Sequence, residues 1–331
     1  MNLTELNQSD HCVYFFCPER SVSPAVYVFL YMGSAAVVLL TVCGNLLVII
    51  SVLHFKQLHT PTNMLILSLA VSDLLVGILL MPPTLIWTIE SCWIFGRGFC
   101  TGVWLIAGVL LIVSIYNIAL ISVDRYLALS NPFLYTNTVS TKMMCNMVTG
   151  NWCVCLGYNA AVYYFNGNFL EASAMCPGEC FIILNEIWSV IDLVVSFVLP
   201  LSVIIIFYTL VFVIAKKHAT AIRELNNHTR PKTQKITSHS MKSEKKAAKA
   251  LSILVSVFLV CLLPYFIYSL LGGVIELQLG IFQNVLIMLY LNSTINPIVY
   301  ALFYPWFRKS FQLVITLHIF QTDSALINVI S

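Results

Sequence analysis

Two carboxylates, Asp73 and Asp192, sit deep inside long uncharged stretches, and no Lys or Arg shares their depth. An ionised carboxylate buried without a partner is costly, so each of the two marks a functional position by default. Asp192 belongs to a stripe. Ser189, Asp192 and Ser196 are spaced i, i+3 and i+7, which is one face of a helix. That face must turn inward, where a carboxylate stays badly desolvated unless something cationic visits it. An ammonium ligand fits that need. The blander readings are a protonated acid bonded to nearby hydroxyls, or a side chain facing water; the cost of a permanent unpaired charge argues against a purely structural role. Glu186 lies six residues earlier, about 9 Å along a helix. It suits either the second nitrogen of a diamine or, near an interface, plain hydration. No Ser, His and Asp set and no cluster of metal-ligand type converges in one place, so an enzyme is not expected and no cofactor is required.

The elements that must position these groups follow from composition. The 331 residues are 59% apolar and only 9% charged. A soluble domain carries about 25% charged residues, and a disordered chain needs low hydrophobicity, so both classes are excluded. A net charge of +3 leaves no footprint for nucleic acid. Seven apolar stretches run over Ala25–Leu53, Pro61–Ile89, Gly98–Val123, Met143–Leu170, Ile187–Ala215, Ala250–Ile275 and Leu277–Phe307. Each exceeds the roughly 20 residues that cross a bilayer as a helix, and only helices or closed barrels satisfy their backbone there. The expected fold is an all-α membrane protein, a seven-helix bundle over 25–307. A polar tail (1–24) precedes it, and a short amphipathic helix and tail (308–331) follow.

Fifteen of the 17 basic residues fall in alternate loops; Arg20 and Arg97 are the exceptions. The positive-inside rule then places the N-terminus outside the cell and the C-terminus in the cytoplasm. The acidic, polar start MNLTELNQSD predicts no cleaved leader. Cys12, Cys17, Cys92, Cys100, Cys176 and Cys180 all fall on the outer side, where disulfides persist. Their pairing is not fixed by spacing. Asn2 and Asn7 head glycosylation sequons on the outer tail. The basic loop Lys216–Lys249 suits anionic lipid and a cytoplasmic partner.

Short motifs recur in order along the spans. They are Gly44-Asn45 in the first, Leu69-Ala70-Val71-Ser72-Asp73 in the second, Asp124-Arg125-Tyr126 ending the third and Trp152 in the fourth. Pro200 follows in the fifth, Phe258, Cys261 and Pro264 in the sixth, and Asn296-Pro297-Ile298-Val299-Tyr300 in the seventh. This set resembles the rhodopsin-like G-protein-coupled receptors over nearly the whole chain. The run from Asn292 to Phe307 and the tail Ile319-Phe320-Gln321-Thr322-Asp323-Ser324 are similar to the trace amine-associated receptors, fish-type members in particular.

The resemblance implies a plasma-membrane receptor for small amines, olfactory in role, signalling through a stimulatory or olfactory-type G protein to cyclic AMP. It implies sodium held by Asp73 with Ser114, Asn292, Ser293 and Asn296, or else a hydrated network there. Tyr265, Phe266 and Tyr290 are pocket positions whose rings could hold an ammonium by cation–π attraction; Trp104 and Tyr268 are weaker candidates. Amine receptors place an acid in the third helix, but Ala107 stands at that position and Gly108 beside it cannot substitute, so the counter-ion moves to Asp192. A retinal-binding Lys is ruled out by Tyr290. The implied disulfides are Cys100–Cys180 and Cys17–Cys176, with Cys12 and Cys92 unassigned. In the resting state Arg125 is expected to pair with Glu244, with Pro200, Pro264 and Pro297 permitting kinks and Tyr300 swinging inward on activation. Leu262 replaces the Trp usual two residues before Pro264, so Phe258 and Tyr265 are expected to take over its role. A neurotransmitter-type amine receptor is disfavoured by Ala107, and an amine transporter or channel by the lack of a chain of membrane acids.

Overall fold

The computed structural model describes residues 17, 23–165, 178–180, 186–228, 253–270, 279–321 and 324–329. Asn2, Asn7, Cys12, Cys176 and Glu244 lie outside these residues, as does the side chain of Glu186. The seven spans are Pro24–His54, Pro61–Glu90, Arg97–Ser130, Thr141–Phe165, Glu186–His228, Ile253–Leu270 and Leu279–Phe303. Six of them are long and apolar enough to cross a membrane on composition alone. The fourth, Thr141–Phe165, is 25 residues long but carries Asn146, Asn151 and Asn159; it still reaches about 37 Å at the helical rise. Among the described residues no strand forms, and a single bridge joins Trp93 to Gly178.

Proline sets several helix starts, because its missing N–H falls where a helix has no acceptor for it. Pro24, Pro61, Pro132 and Pro305 all occupy first-turn positions. Pro132 opens a helix over Pro132–Thr138, whose Asn131 cap accepts from the Leu134 amide at 3.1 Å. Pro305 ends the seventh span earlier than its apolar run suggests. Tyr304 is forced out of the helical region (φ −104°, ψ 109°), the span stops at Phe303, and the short helix is Pro305–Ile315 rather than starting at 308. The fifth helix continues past Ala215 to His228.

Two spans contain a π-helical turn, Val76–Leu80 in the second and Leu193–Val198 in the fifth. Each follows one of the two membrane acids closely, and such turns gather at functional positions because they shift the facing of the next residues.

The third span is the centre of the bundle and packs against the second, fourth and fifth. Two glycines allow close approach. A Cβ at Gly44 would meet the Pro297 ring at 2.8 Å, and one at Gly108 would collide with the Asn159 amide oxygen. Polar stitches hold neighbouring spans. Ser68 bonds Asn117 and accepts from Trp152 Nε1 at 3.0 Å, while Asn45 Nδ2 donates to the Ser293 carbonyl at 3.0 Å. Such bonds contribute roughly 0.6–2 kcal/mol each in a membrane. One apolar cluster fills the disulfide end and middle, including Trp87, Ala107, Leu262 and Phe266; a second fills the Arg125 end, including Phe55, Tyr300, Trp306 and Val329. Large apolar side chains such as Phe29, Leu39, Val154, Ile206 and Leu302 face outward, as a lipid-facing surface requires.

Cys100 and Cys180 are joined, with Cα atoms 5.7 Å apart, tying the loop before the fifth span to the top of the third. The implied Cys17–Cys176 bridge is corrected: Cys17 is bonded to Cys92, with Cα atoms 5.3 Å apart. Cys92 is held in reach because the next residue, Trp93, is fixed by the bridge to Gly178 and by its indole bond to the Gly96 carbonyl. A sulfur makes one disulfide, so Cys176 is not the partner of Cys17.

Candidate functional site

The fifth span presents Asp192 at the last residue of its first α-helical segment, directly before the π turn. Ser196 Oγ donates to Asp192 Oδ1 at 2.7 Å, so the expected helical face forms at this end. Ser189 is partly buried one turn away. A second donor comes from the fourth span: Tyr158 hydroxyl donates to the same Oδ1 at 3.1 Å. Tyr163 and Tyr265 also lie within electrostatic reach of the carboxylate. The π turn is itself held from the third span, where the Tyr116 hydroxyl donates to the Val195 carbonyl at 2.9 Å.

Both donors to Asp192 are neutral hydroxyls and both go to Oδ1. Among the described residues none bonds Oδ2 and none forms an ion pair with Asp192. Chemically this is a carboxylate with one oxygen fixed by two donors and the other without a hydrogen bond among the described residues. That arrangement suits a visiting N–H cation better than a neutral guest, since charge-assisted bonds are the stronger kind.

The other expected pocket residues divide. Tyr265 joins the Asp192 group. Phe266 is buried, stacked on Phe197 with centroids 4.1 Å apart and meeting Tyr265 edge-on at 5.3 Å, so its ring is largely committed to packing. Tyr290 is buried beside Thr84 of the second span. Ala107 is buried in the central cluster, where it offers no charge. Gly108 faces the fourth span rather than the pocket. The tyrosines of the third and fourth spans escaped sequence reasoning. Their signal was available, because a phenol placed in an apolar span must find an acceptor.

Asp73 is fully buried. Its Oδ2 accepts from Asn296 Nδ2 at 2.7 Å, while Oδ1 has no partner among the described residues. Asn292 is one turn from Asn296 on the same face, and its Oδ1 is also buried without a partner. Ser114 turns toward Ser72, donating at 3.0 Å, and Ser72 donates to the Leu69 carbonyl. An orphaned oxygen of the buried carboxylate and an orphaned amide oxygen on Asn292 fit a small hard cation, because such groups are otherwise costly to bury.

At the opposite end, Asp124 is the hub. Its Oδ2 accepts from Arg125 Nη2 at 2.7 Å and from Thr62 Oγ1 at 2.7 Å, and its Oδ1 from the Tyr135 hydroxyl at 2.7 Å. Arg125 Nη2 also donates to Thr62 Oγ1. Burial, and then the neighbouring Asp124, push the Tyr135 phenol above its ordinary range, so it remains a donor. Tyr126 packs edge-on against Phe207 of the fifth span at 5.2 Å. Tyr300 is almost fully buried with its hydroxyl unbonded among the described residues, packed edge-on against Tyr304. Phe258 and Leu262 are both buried in the central cluster, one turn apart.

Over residues 44–300 the chain matches the family described as 7 transmembrane receptor (rhodopsin family). It is 41% identical over 317 residues to trace amine-associated receptor 13c of Danio rerio, covering 93% of this chain and 91% of that protein. Against trace amine-associated receptor 6 of Homo sapiens it is 37% identical over 324 residues, covering 95% and 93%. Against trace amine-associated receptor 4 of Mus musculus it is 36% identical over 321 residues, covering 93% and 91%.

Proposed function

Because the chain belongs to the rhodopsin family of seven-transmembrane receptors, and within it to the trace amine-associated receptors, we propose that it detects small amines through Asp192. Membership makes it a receptor rather than an enzyme, with a small-molecule ligand and a G protein as its partners. In our reading the ligand ammonium pairs with Oδ2 of Asp192, and Tyr265 covers it with a ring face. The ligand then lies with its amine toward the fifth span, because Ala107 leaves the third span without an acid. Glu186, about 9 Å further along the helix, is hydrated near the interface when the ligand is a monoamine and is the group a diamine's second nitrogen would meet.

What carries this reading is one observation: Asp192 is held by two neutral hydroxyls on a single oxygen, with no cation paired to it among the described residues. A permanently buried carboxylate so arranged lacks its counter-charge, and an ammonium supplies it.

The proposed receptor sits in the plasma membrane with its glycosylated tail (Asn2, Asn7) outside, serves olfaction and signals through a stimulatory G protein. Resting, Arg125 is held by Asp124 and, in our reading, by Glu244. Ligand biases the bundle toward a second packing in which the Arg125 end opens. Phe258 and Tyr265 transmit the change in place of the Trp that Leu262 replaces, and Tyr300 moves to give its unbonded hydroxyl a partner. A sodium ion at Asp73, with Asn292, Ser293, Asn296 and Ser114 around it, would supply positive charge to the buried carboxylate and favour the resting packing.

The test is a panel of mono- and diamines applied to cells expressing the receptor, with cyclic AMP as readout. Asp192→Asn should abolish the responses while surface expression persists. An unchanged dose response overturns the proposal.

A further inference from the structure

Toward the disulfide end, one helical turn from the Asp192 group, three aromatic rings from three spans form a stack. Phe282 of the seventh span lies nearly parallel to Trp104 of the third (centroids 5.8 Å, 14° between planes) and to Tyr268 of the sixth (5.1 Å, 29°). Trp87 of the second span meets Phe282 near-perpendicularly at 6.3 Å. Among the described residues no ring contact joins Trp104 to Tyr268 directly, so Phe282 is the bridging member.

The stack is anchored at its edges. Trp104 Nε1 donates to the Cys180 carbonyl at 3.4 Å, and Cys180 is bonded to Cys100 on the third span. Gln283, next to Phe282, donates to the Trp87 carbonyl at 3.3 Å. The stack is also in register with the pocket. Trp104 is one turn before Ala107, and Tyr268 is one turn past Tyr265, each a rise of about 4.5 Å.

We propose that Trp104, Phe282 and Tyr268 are the roof of the ligand pocket and set an upper size limit, selecting short primary monoamines. This rests on the reading of Asp192 as the ammonium site. A ligand anchored at Asp192 has its far end under rings that four spans and a disulfide hold in place. Lengthening that end forces it against Phe282, and the rings have no small rotation that makes room, since each is packed face-to-face or edge-on with a neighbour. The same packing leaves less of the Phe282 ring to a second ammonium, because two near-parallel rings lie against it. Selection by a fixed apolar wall is worth about 10–200-fold per step in size, enough to separate short from long amines without a further polar contact.

The experiment measures the shift in thermal unfolding of purified full-length receptor across the linear primary amines from propylamine to octylamine. Wild type, Phe282→Ala, Tyr268→Ala and Asp192→Asn are run in parallel, with Phe282→Leu included in case the alanine variants do not fold. Wild type should show a length cutoff. The roof variants should bind the long amines at least about tenfold more tightly while binding of the short ones changes little. A cutoff that stays in place in every folded roof variant overturns the roof, as does a wild type that binds all lengths alike. Asp192→Asn reads the underlying claim separately: amine binding that survives in it overturns the ammonium site whatever the cutoff does. A wild type that binds no member of the series overturns both.

Discussion

Replacing Gly108 by Ala tests the close approach of the third span to the fourth. The added Cβ falls on the Asn159 amide oxygen, closer than real Cβ atoms approach anything. Asn159 has little freedom to yield: it is buried, and its Nδ2 donates to the Cys155 carbonyl at 2.9 Å. Overpacking of this kind costs about 1–3 kcal/mol, and losing a neutral hydrogen bond about 1 kcal/mol more. Ala is favoured over Gly in a helix by about 1 kcal/mol, which offsets part of this. The net destabilisation is therefore roughly 1–3 kcal/mol. At roughly 2–4 °C per kcal/mol for a chain somewhat smaller than this one, the unfolding midpoint falls by roughly 2–12 °C. Thermal unfolding of the solubilised receptor, followed by tryptophan fluorescence, measures it. The double variant Gly108→Ala with Asn159→Ala should recover stability relative to the sum of the single changes by about 1 kcal/mol or more. A single variant within about 0.5 kcal/mol of wild type, or strict additivity in the double variant, refutes the contact.

Two other expectations follow from the described geometry. Raising sodium chloride against choline chloride at constant ionic strength should raise the unfolding midpoint of wild type but not of Asp73→Asn; equal responses would remove the ion from the buried Asp73 site. Cys17→Ser, Cys92→Ser and the double variant should lower stability equally, since each breaks one bond, by about 2–4 kcal/mol for a native disulfide. Peptide mapping under non-reducing conditions should recover Cys17 linked to Cys92, and recovery of Cys17 linked to Cys176 would contradict the structure.

Much of the frame was legible in the sequence because the bilayer leaves few choices. Long uncharged runs had to be helices, and the i, i+3, i+7 spacing set Asp192 and Ser196 on one face before any contact was known. What escaped were facts that only the packing of distant segments creates. Tyr158 is 34 residues from the carboxylate it bonds; a phenol in an apolar span needs an acceptor, but no local pattern says that the acceptor is Asp192. The stack at Phe282 joins residues from separate spans, each of which alone reads as ordinary apolar filling. Gly108 looked like a missing acid's neighbour, and its actual constraint is the Asn159 side chain across a helix interface. The end of the seventh span was readable from Pro305, yet the apolar run through Phe307 obscured it. Spacing does not order six cysteines; the resemblance supplied Cys100–Cys180, which the structure contains, but not the partner of Cys17, which is Cys92.

The central claim is that an ammonium is bound by its charge at Asp192. The most direct measurement is equilibrium binding to purified receptor of a short primary amine and of the alcohol of the same shape, in wild type and Asp192→Asn. Truncating one partner of a buried charge pair costs about 2–5 kcal/mol. The amine should therefore lose at least about 30-fold in affinity in Asp192→Asn and fall to the level of the alcohol, which should bind both proteins equally weakly. Equal amine affinity in the two folded proteins, or an alcohol that binds wild type as well as the amine does, would contradict the account.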